Sequence, residues 1–182
     1  MSNTENPNAP DHRVDADGVI TVTEAGLAID RAYREAERAF DTLQRCWAGA
    51  CLAGLFLRHP WLHMVRATLS ASTEYDDQGG TYRSISNAVT QVVPVEGALL
   101  PGTVLDEQAF DEPGAIGVIE ADLDEFDFDL YTSINTAPDD YADLVLELNR
   151  TMIQPLLNGE PISGAAAYRA WFPDAPEDSA GT

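Results

Sequence analysis

Apolar residues recur three and four positions apart over a long stretch that begins near Thr21 and Glu24, which have the spacing of a capping box. Acids and arginines fill the intervening positions, so the pattern predicts one long amphipathic helix. Its apolar positions are Ile29, Tyr33, Ala36, Phe40, Leu43, Trp47, Ala50, Cys51 and Leu55. Pro60 ends the helix near Arg58. Because the second half is apolar on nearly all sides, we expect it to be central, with Gly49 allowing close approach of another element.

A β-hairpin is predicted next. Apolar and polar residues alternate from Trp61 to Tyr75, with the apolar ones at odd-numbered positions, and they alternate again from Thr81 to Val95. The Asp-Asp-Gln-Gly-Gly sequence between these stretches is typical of a turn. Residues 97–114 are rich in Gly, Pro and acids and predict an irregular connection.

Residues 115–134 predict two further strands. The composition is rich in strand-forming residues, and the apolar phase shifts by one between Leu123 and Phe126. Such a shift marks either a tight turn at Asp124-Glu125 or a bulge.

Two helices are predicted to follow. Thr136 to Asp139 form a cap with a proline in the first turn, and the apolar stripe of that helix extends from Tyr141 to Met152. A shorter helix is predicted from Ser163 to Phe172. The whole order implies an α+β fold: an antiparallel sheet of about four strands, with the long N-terminal helix and the C-terminal helices packed on one face.

The 182 residues are enough for one domain with a real core. Residues 1–18 are polar and lack periodicity, so they predict a disordered arm. Residues 174–182 predict a disordered acidic tail. The single α+β domain is therefore expected to span 19–173.

The formal net charge of −21 comes from 31 acidic residues and 10 basic residues, all of them arginine. Phosphate contacts need clustered basic residues, so we expect no direct binding to nucleic acid or to an anionic membrane. The charge favours a basic partner protein. Adaptation to high salt would also produce it, but would spread the acids evenly, whereas they are about twice as dense in 106–143 as in the whole chain.

Cys46 and Cys51 are the only cysteines. Five residues along a helix place them roughly 140° apart around its axis, which suits neither a disulfide nor a shared metal. We therefore expect buried free thiols. Residues 1–18 do not have the pattern of a secretory signal, and the longest apolar run, 46–57, is too short to cross a bilayer. These features favour a cytoplasmic location without membrane association.

The acidic residues of the strand pair predicted over 115–134 are the candidate partner-binding site. With a turn at 124–125, Asp122 would face Asp127 across the pair, and like charges in that position destabilise a sheet. A basic partner, a divalent cation, or solvent and salt alone would offset the repulsion. The candidate residues are Glu120, Asp122, Asp124, Glu125, Asp127 and Asp129.

Metal and nucleophile chemistry lack their usual sequence patterns. His59 and His63 have the spacing of a zinc-binding helix, but Pro60 lies between them and no glutamate follows His59. There is no nucleophile elbow and no phosphate loop. We therefore assign no catalytic residue, no metal ligand and no cofactor. Trp171 and Phe172 predict either core anchors or a docking site for a partner or a second copy, so a homodimer is one expectation.

These observations predict a non-enzymatic protein-binding module of an inhibitor, immunity or chaperone type, whose carboxylates engage a basic surface. Mimicry of nucleic-acid phosphates is one form of such binding. The alternative is a divalent-metal-binding protein or metal-dependent hydrolase that uses the same carboxylates. In a third interpretation the charge is only salt adaptation. Convergence of the acids in a pocket would favour the metal, and a flat or convex acidic surface would favour the protein partner.

Overall fold

The computed structural model describes residues 9–135, 141–157 and 161–173. Helices and antiparallel sheets are both prominent in them, which confirms the α+β class. Contacts divide the chain into two compact units, and the described part of the first ends at Leu43 while the second begins at Gln44. The domain bounds of 19–173 stay a prediction.

The first unit contains a small hairpin and the start of the long helix. β1 (His12–Val14) pairs antiparallel with β2 (Ile20–Val22), so a strand lies inside the segment that was predicted to be a disordered arm. The helix α1 (Glu24–Arg58) follows directly. Thr23 caps it, because its Oγ1 accepts a hydrogen bond from the Gly26 amide at 3.2 Å, two residues beyond the predicted cap.

Some of the predicted segments lie outside the described residues. These are residues 1–8 of the predicted arm and the whole of the tail at 174–182. Among the residues that the structure does describe, no helix has both the length and the hydropathy needed to cross a membrane. The cytoplasmic location stays a prediction.

The second unit holds the rest of α1 and the main sheet. As predicted, the second half of α1 supplies the buried residues of the helix: Ala48, Gly49, Leu52, Ala53, Leu55 and Phe56. The sheet has three antiparallel strands in the order β4-β3-β7, with β3 at Leu62–Tyr75, β4 at Thr81–Pro94 and β7 at Leu144–Asn149. The prediction of about four strands is therefore corrected to three, because the two strands expected at 115–134 are helices.

The hairpin of β3 and β4 confirms its prediction. Asp76 closes the turn, since its Oδ1 accepts hydrogen bonds from the amides of Gln78 and Gly80 at 2.9 and 2.6 Å. Gly79 has a φ of 82°, a conformation that favours glycine. The turn chemistry of the sequence therefore set the register of the two strands.

One face of the main sheet is buried, because inward and outward residues alternate along its strands. The buried residues on that face are Val65, Ala67, Leu69, Val89, Val92, Leu146 and Leu148. A bulge in β4, opposite Arg66 and Ala67, turns Val89 and Val92 inward although they are three residues apart. On the other face Arg66 and Glu147 form an ion pair at 2.8 Å.

The connection after β4 is irregular, as predicted. A single turn of 3-10 helix at Gly102–Val104 leads into a two-residue hairpin of β5 (Leu105–Asp106) and β6 (Ala109–Phe110). Its loop residues Glu107 and Gln108 have φ values of 45° and 71°. Such positive values match the primed turns that close two-residue hairpins.

Residues 115–134, predicted to form two strands, form two helices instead. They are α2 (Glu112–Asp124) and α3 (Asp127–Ile134), so the turn expected at Asp124-Glu125 is the junction between them. The buried residues of α2 are Ala115, Ile119 and Leu123, one every fourth position. This helical period lies beneath the apparent alternation and explains why the segment packs as a helix.

The segment from Tyr141 to Met152, predicted to be one helix, instead contains β7 and the short helix α4 (Arg150–Ile153). Inside β7 the period is two, since Leu146 and Leu148 are buried while the residues between and before them are exposed. Pairing with β3 supplies the hydrogen bonds that a helix would otherwise make. The predicted cap at 136–139 lies outside the described residues.

The last predicted helix is confirmed as α5 (Gly164–Trp171), capped by the Ser163 hydroxyl, which accepts from the Ala166 amide at 3.4 Å. It crosses α1 backbone to backbone. A Cβ at Gly49 would overlap the Gly164 carbonyl, and a Cβ at Gly164 would overlap the Cys46 carbonyl. The close approach expected at Gly49 is therefore confirmed.

Candidate functional site

The six candidate acids lie on α2, on α3 and at the junction between these helices. Because residues 120–124 and 127–130 lie in helices, the predicted acidic sheet face is wrong, and Asp122 and Asp127 do not oppose each other across a strand pair. Helical geometry divides the six acids into two groups. One group contacts other parts of the chain, and the other faces solvent.

Two acids of the first group bind the edge of the sheet. Glu120 Oε1 accepts a hydrogen bond from the Val89 amide at 3.0 Å, and Asp124 Oδ1 accepts one from Asn87 Nδ2 at 2.5 Å. Both partners lie on β4, an edge strand whose outward amides lack a neighbouring strand. Glu120 and Asp124 therefore fasten α2 to that edge, and their carboxylates have a structural role.

Asp122 binds the C-terminal end of α1. Its Oδ2 lies 2.9 Å from Arg58 Nε and 2.9 Å from His59 Nε2. Partial burial raises the pKa of Asp122, but the hydrogen bonds and positive charge of His59 and Arg58 outweigh burial and hold this pKa below its ordinary value. Asp122 thus stabilises the contact between α1 and α2, a role that the sequence did not reveal.

The second group comprises Glu125, Asp127 and Asp129. Glu125 and Asp129 are exposed and Asp127 is half-buried. None of the ion pairs found among the described residues includes these three acids. Burial raises the pKa of Asp127 and the charge of Asp124 adds to this rise, while the Phe128 amide opposes it. The ionised form of Asp127 is therefore less favoured than in water, and a nearby cation would relieve this cost.

The two phenylalanines of this segment have different environments. Phe126 packs edge to face against Trp47, with ring centroids 6.1 Å apart, whereas Phe128 is 49% exposed. On a strand, two rings two positions apart would share one face, so their separation follows from the helical structure of this segment. The exposed Glu125, Phe128 and Asp129 and the half-buried Asp127 follow one another at the junction of α2 and α3, and this acidic and aromatic segment is here named the junction patch.

The other candidate groups do not form a metal or thiol site. His59 pairs with Asp122, and among the described residues no group of three or more His, Cys, Asp or Glu side chains is placed to hold a metal ion. Both cysteines are free and half-buried rather than fully buried. Burial raises the pKa of Cys51 to about 11, with Arg58 opposing this rise and Asp129 and Glu125 adding to it, so the thiol stays protonated at neutral pH.

The C-terminal aromatic pair, Trp171 and Phe172, is half-buried and packs against the core. Trp171 stacks on Phe56 with ring centroids 5.5 Å apart, and its Nε1 donates to the Asn149 carbonyl at 3.2 Å. Phe172 packs against Tyr168 at 4.8 Å. These contacts support the core-anchor interpretation over a docking site.

Sequence reasoning missed one surface in the first unit. The predicted apolar positions of α1 include Ile29, Tyr33, Phe40 and Leu43, and these four are 57–65% exposed. The signal that could have marked them is the strict alternation of spacings of four and three, which is typical of helices that pair with another helix.

The fold and the junction patch together define an α+β protein with an exposed acidic surface. Comparison with protein-family models, with curated proteins and with solved structures found no match to this chain.

Proposed function

We propose that this chain is a non-enzymatic protein-binding module whose junction patch engages a basic surface of a partner protein. The observation that carries the proposal is that Glu125, Asp127 and Asp129 flank the exposed Phe128 along the chain and take part in none of the described ion pairs. The partner site is smaller than the six acids suggested by the sequence, since Glu120, Asp122 and Asp124 have structural contacts.

An arginine-rich partner fits this patch best. Guanidinium groups form bidentate hydrogen bonds with carboxylates, and they also bind over aromatic rings such as that of Phe128. A cation beside Asp127 would remove the cost that burial and Asp124 impose on its ionised form. The net charge of −21 would speed the encounter with any basic protein, so affinity should fall as salt is added.

The proposal is tested with nona-arginine as a defined probe, titrated calorimetrically into the full chain. The triple variant E125Q/D127N/D129N should bind it at least about tenfold more weakly, as expected when about 1.4 kcal/mol of contacts is lost. The matched control D77N/E96Q/D106N removes the same charge from exposed positions elsewhere in the second unit. It should weaken binding by less than about threefold, because it changes only the long-range field.

Equal losses in the two triple variants would contradict the proposal, because net charge alone would then explain the binding. A companion experiment captures proteins from the host lysate with the wild-type chain and with both triple variants. A partner retained by the control triple and lost with the junction-patch triple is the expected outcome. Competition by a DNA duplex would further show that the partner's basic surface is one that binds phosphate.

A further inference from the structure

The first part of α1 presents an apolar stripe that nothing in the described chain covers. All residues from 27 to 43 are exposed, on every side of the helix. Within this span Ile29, Tyr33, Ala36, Phe40 and Leu43 repeat at spacings of four and three residues. In heptad terms Tyr33 and Phe40 occupy one seam position, and the other three residues occupy the second. These five residues are named the α1 stripe.

The flanks of the α1 stripe suit close packing of a second helix. On one side lie Ala32 and Ala39, whose small side chains let two backbones approach. Part of the nearby charge is neutralised within the helix, since Arg34 pairs with Asp30 at 3.0 Å and Arg31 with Glu24 at 2.9 Å. The stripe is therefore an apolar surface with small residues on one side and charged residues, some of them paired, around it.

We propose that the α1 stripe binds the α1 stripe of a second copy of this chain, in an antiparallel pair centred on Ala36. The stripe is nearly symmetric about that residue. Ile29 lies seven positions before it and Leu43 seven positions after it, while Tyr33 lies three positions before it and Phe40 four positions after it. Reversing one copy therefore places Ile29 beside Leu43 and Tyr33 beside Phe40, twice over. Such self-complementarity is what a two-fold dimer interface requires.

A parallel pair fits the residues less well. Parallel dimers favour branched aliphatic residues at the first seam position and leucine at the second, whereas here the first position holds Tyr33 and Phe40. A parallel pair would stack each aromatic ring on its own copy, whereas Ala36 lies opposite Ala36 in either orientation. The antiparallel pair interleaves the aromatic rings on both sides of the small central alanines.

The area is enough for a weak specific dimer. A fully covered aromatic side chain buries about 150–250 Å², so covering the exposed parts of Tyr33, Phe40 and the two aliphatic ends buries on the order of 1,000 Å² in a pair. This value lies at the lower limit of specific interfaces, which predicts association at micromolar concentrations. Because each copy carries a charge of −21, salt should strengthen the pairing. Binding of a basic partner should weaken with salt, so the two proposals are distinguishable.

The test is sedimentation of the full chain from about 5 to about 500 µM, in about 0.5 M NaCl to screen the repulsion. We expect a concentration-dependent dimer that Phe40→Asp reduces to monomer at every concentration. Thr42→Asp, which adds the same charge two residues away and off the stripe, should leave the dimer within about threefold of the wild-type affinity. Circular dichroism and the main unfolding transition should be unchanged in both variants, since Phe40 is not part of the buried core.

Cross-linking tests the orientation in chains whose native cysteines are replaced, C46A/C51A. In an antiparallel pair a chain with Ile29→Cys should form a disulfide with a chain carrying Leu43→Cys. Alone it should not link to itself, because two copies of position 29 would be about 21 Å apart. Self-linking of the Ile29→Cys chain would overturn the antiparallel arrangement. A monomer at all concentrations, or a dimer that survives Phe40→Asp, would overturn the proposal as a whole.

Discussion

The Asp122 carboxylate joins two segments of the second unit, because it lies on α2 and contacts both the last residue of α1 and the residue after it. Its neighbour on the next helix, Asp127, has the opposite electrostatic environment. The pKa of Asp122 is lowered and that of Asp127 is raised, so ionisation stabilises the fold at the first residue and costs stability at the second.

The two aspartates should therefore respond oppositely to amide substitution. A carboxyl with a lowered folded pKa contributes stability above its unfolded pKa of about 3.9, and the contribution is lost as the pH falls through the folded value. Asp122→Asn should thus destabilise the protein at pH 7 by about 1 kcal/mol, a value discounted for partial exposure. That difference should shrink as the pH falls below about 4.

For Asp127 the effect of ionisation on stability has the opposite sign. Its pKa is raised in the folded protein, so at neutral pH its charged form is less favourable there than in the unfolded chain. Asp127→Asn should stabilise the protein at pH 7 relative to wild type, and the gain should vanish in acid as the wild-type residue becomes protonated. Urea midpoints of the two variants measured at a series of pH values check both curves. If both substitutions shifted the urea midpoint in the same direction, or by amounts independent of pH, the contacts would not be electrostatic.

Among the elements, α1 and α5 cross backbone to backbone at two glycines of the second unit. Gly49 and Gly164 face each other's helix backbones, and a Cβ at either position has no room. Gly117, inside α2, has no atom within 4 Å of the place where a Cβ would be. These two kinds of helical glycine should behave oppositely when replaced by alanine.

Gly49→Ala should destabilise the second unit by about 2 kcal/mol or more, because backbone must move to admit the methyl group. Gly117→Ala should stabilise it by roughly 0.5–1 kcal/mol through the better helix propensity of alanine. Thermal or chemical unfolding of both variants gives the comparison. A neutral effect of Gly49→Ala would mean that the two helices do not cross closely in solution.

The elements predicted correctly are those whose signals are local. The hairpin of β3 and β4 has an alternating pattern and the Asp76 turn, and α5 has its Ser163 cap, so neighbouring residues determine both. Segment 115–134 was predicted to be strand and is mostly helical, and segment 141–152 was predicted to be helix and contains a strand. Both predictions are wrong because each segment has apolar residues at the helical period and at the strand period. In α2 the buried spacing of four decides in favour of helix, and in β7 the pairing with β3 decides in favour of strand.

At the scale of the whole molecule, the net charge of −21 acts on every part of the fold. Like charges repel each other more in the compact state than in the extended chain, so the charge lowers stability at low ionic strength. The described ion pairs, such as Arg66 with Glu147, offset only part of this repulsion because arginines are few.

The melting temperature should therefore rise when NaCl is increased from about 20 mM to about 500 mM, as the Debye length falls from about 20 Å to about 4 Å. A gain of about 1 kcal/mol would raise the main transition by roughly 2–4 °C in a chain of this size. Calorimetry at pH 7 measures the shift. A melting temperature that falls with salt would show that attractive ion pairs outweigh the repulsion.

The sequence by itself determined the α+β class, the course of α1, the β3–β4 hairpin and the strongly acidic surface, since periodicity, turn residues and charge are local properties. The tertiary structure decided which of the six acids contact other parts of the chain. Glu120 and Asp124 accept hydrogen bonds from β4, and Asp122 contacts the end of α1. The other three acids belong to the junction patch. It also decided that the α1 stripe is exposed. Periodicity marks an apolar helix face, but only the arrangement of distant elements determines whether the same chain covers it.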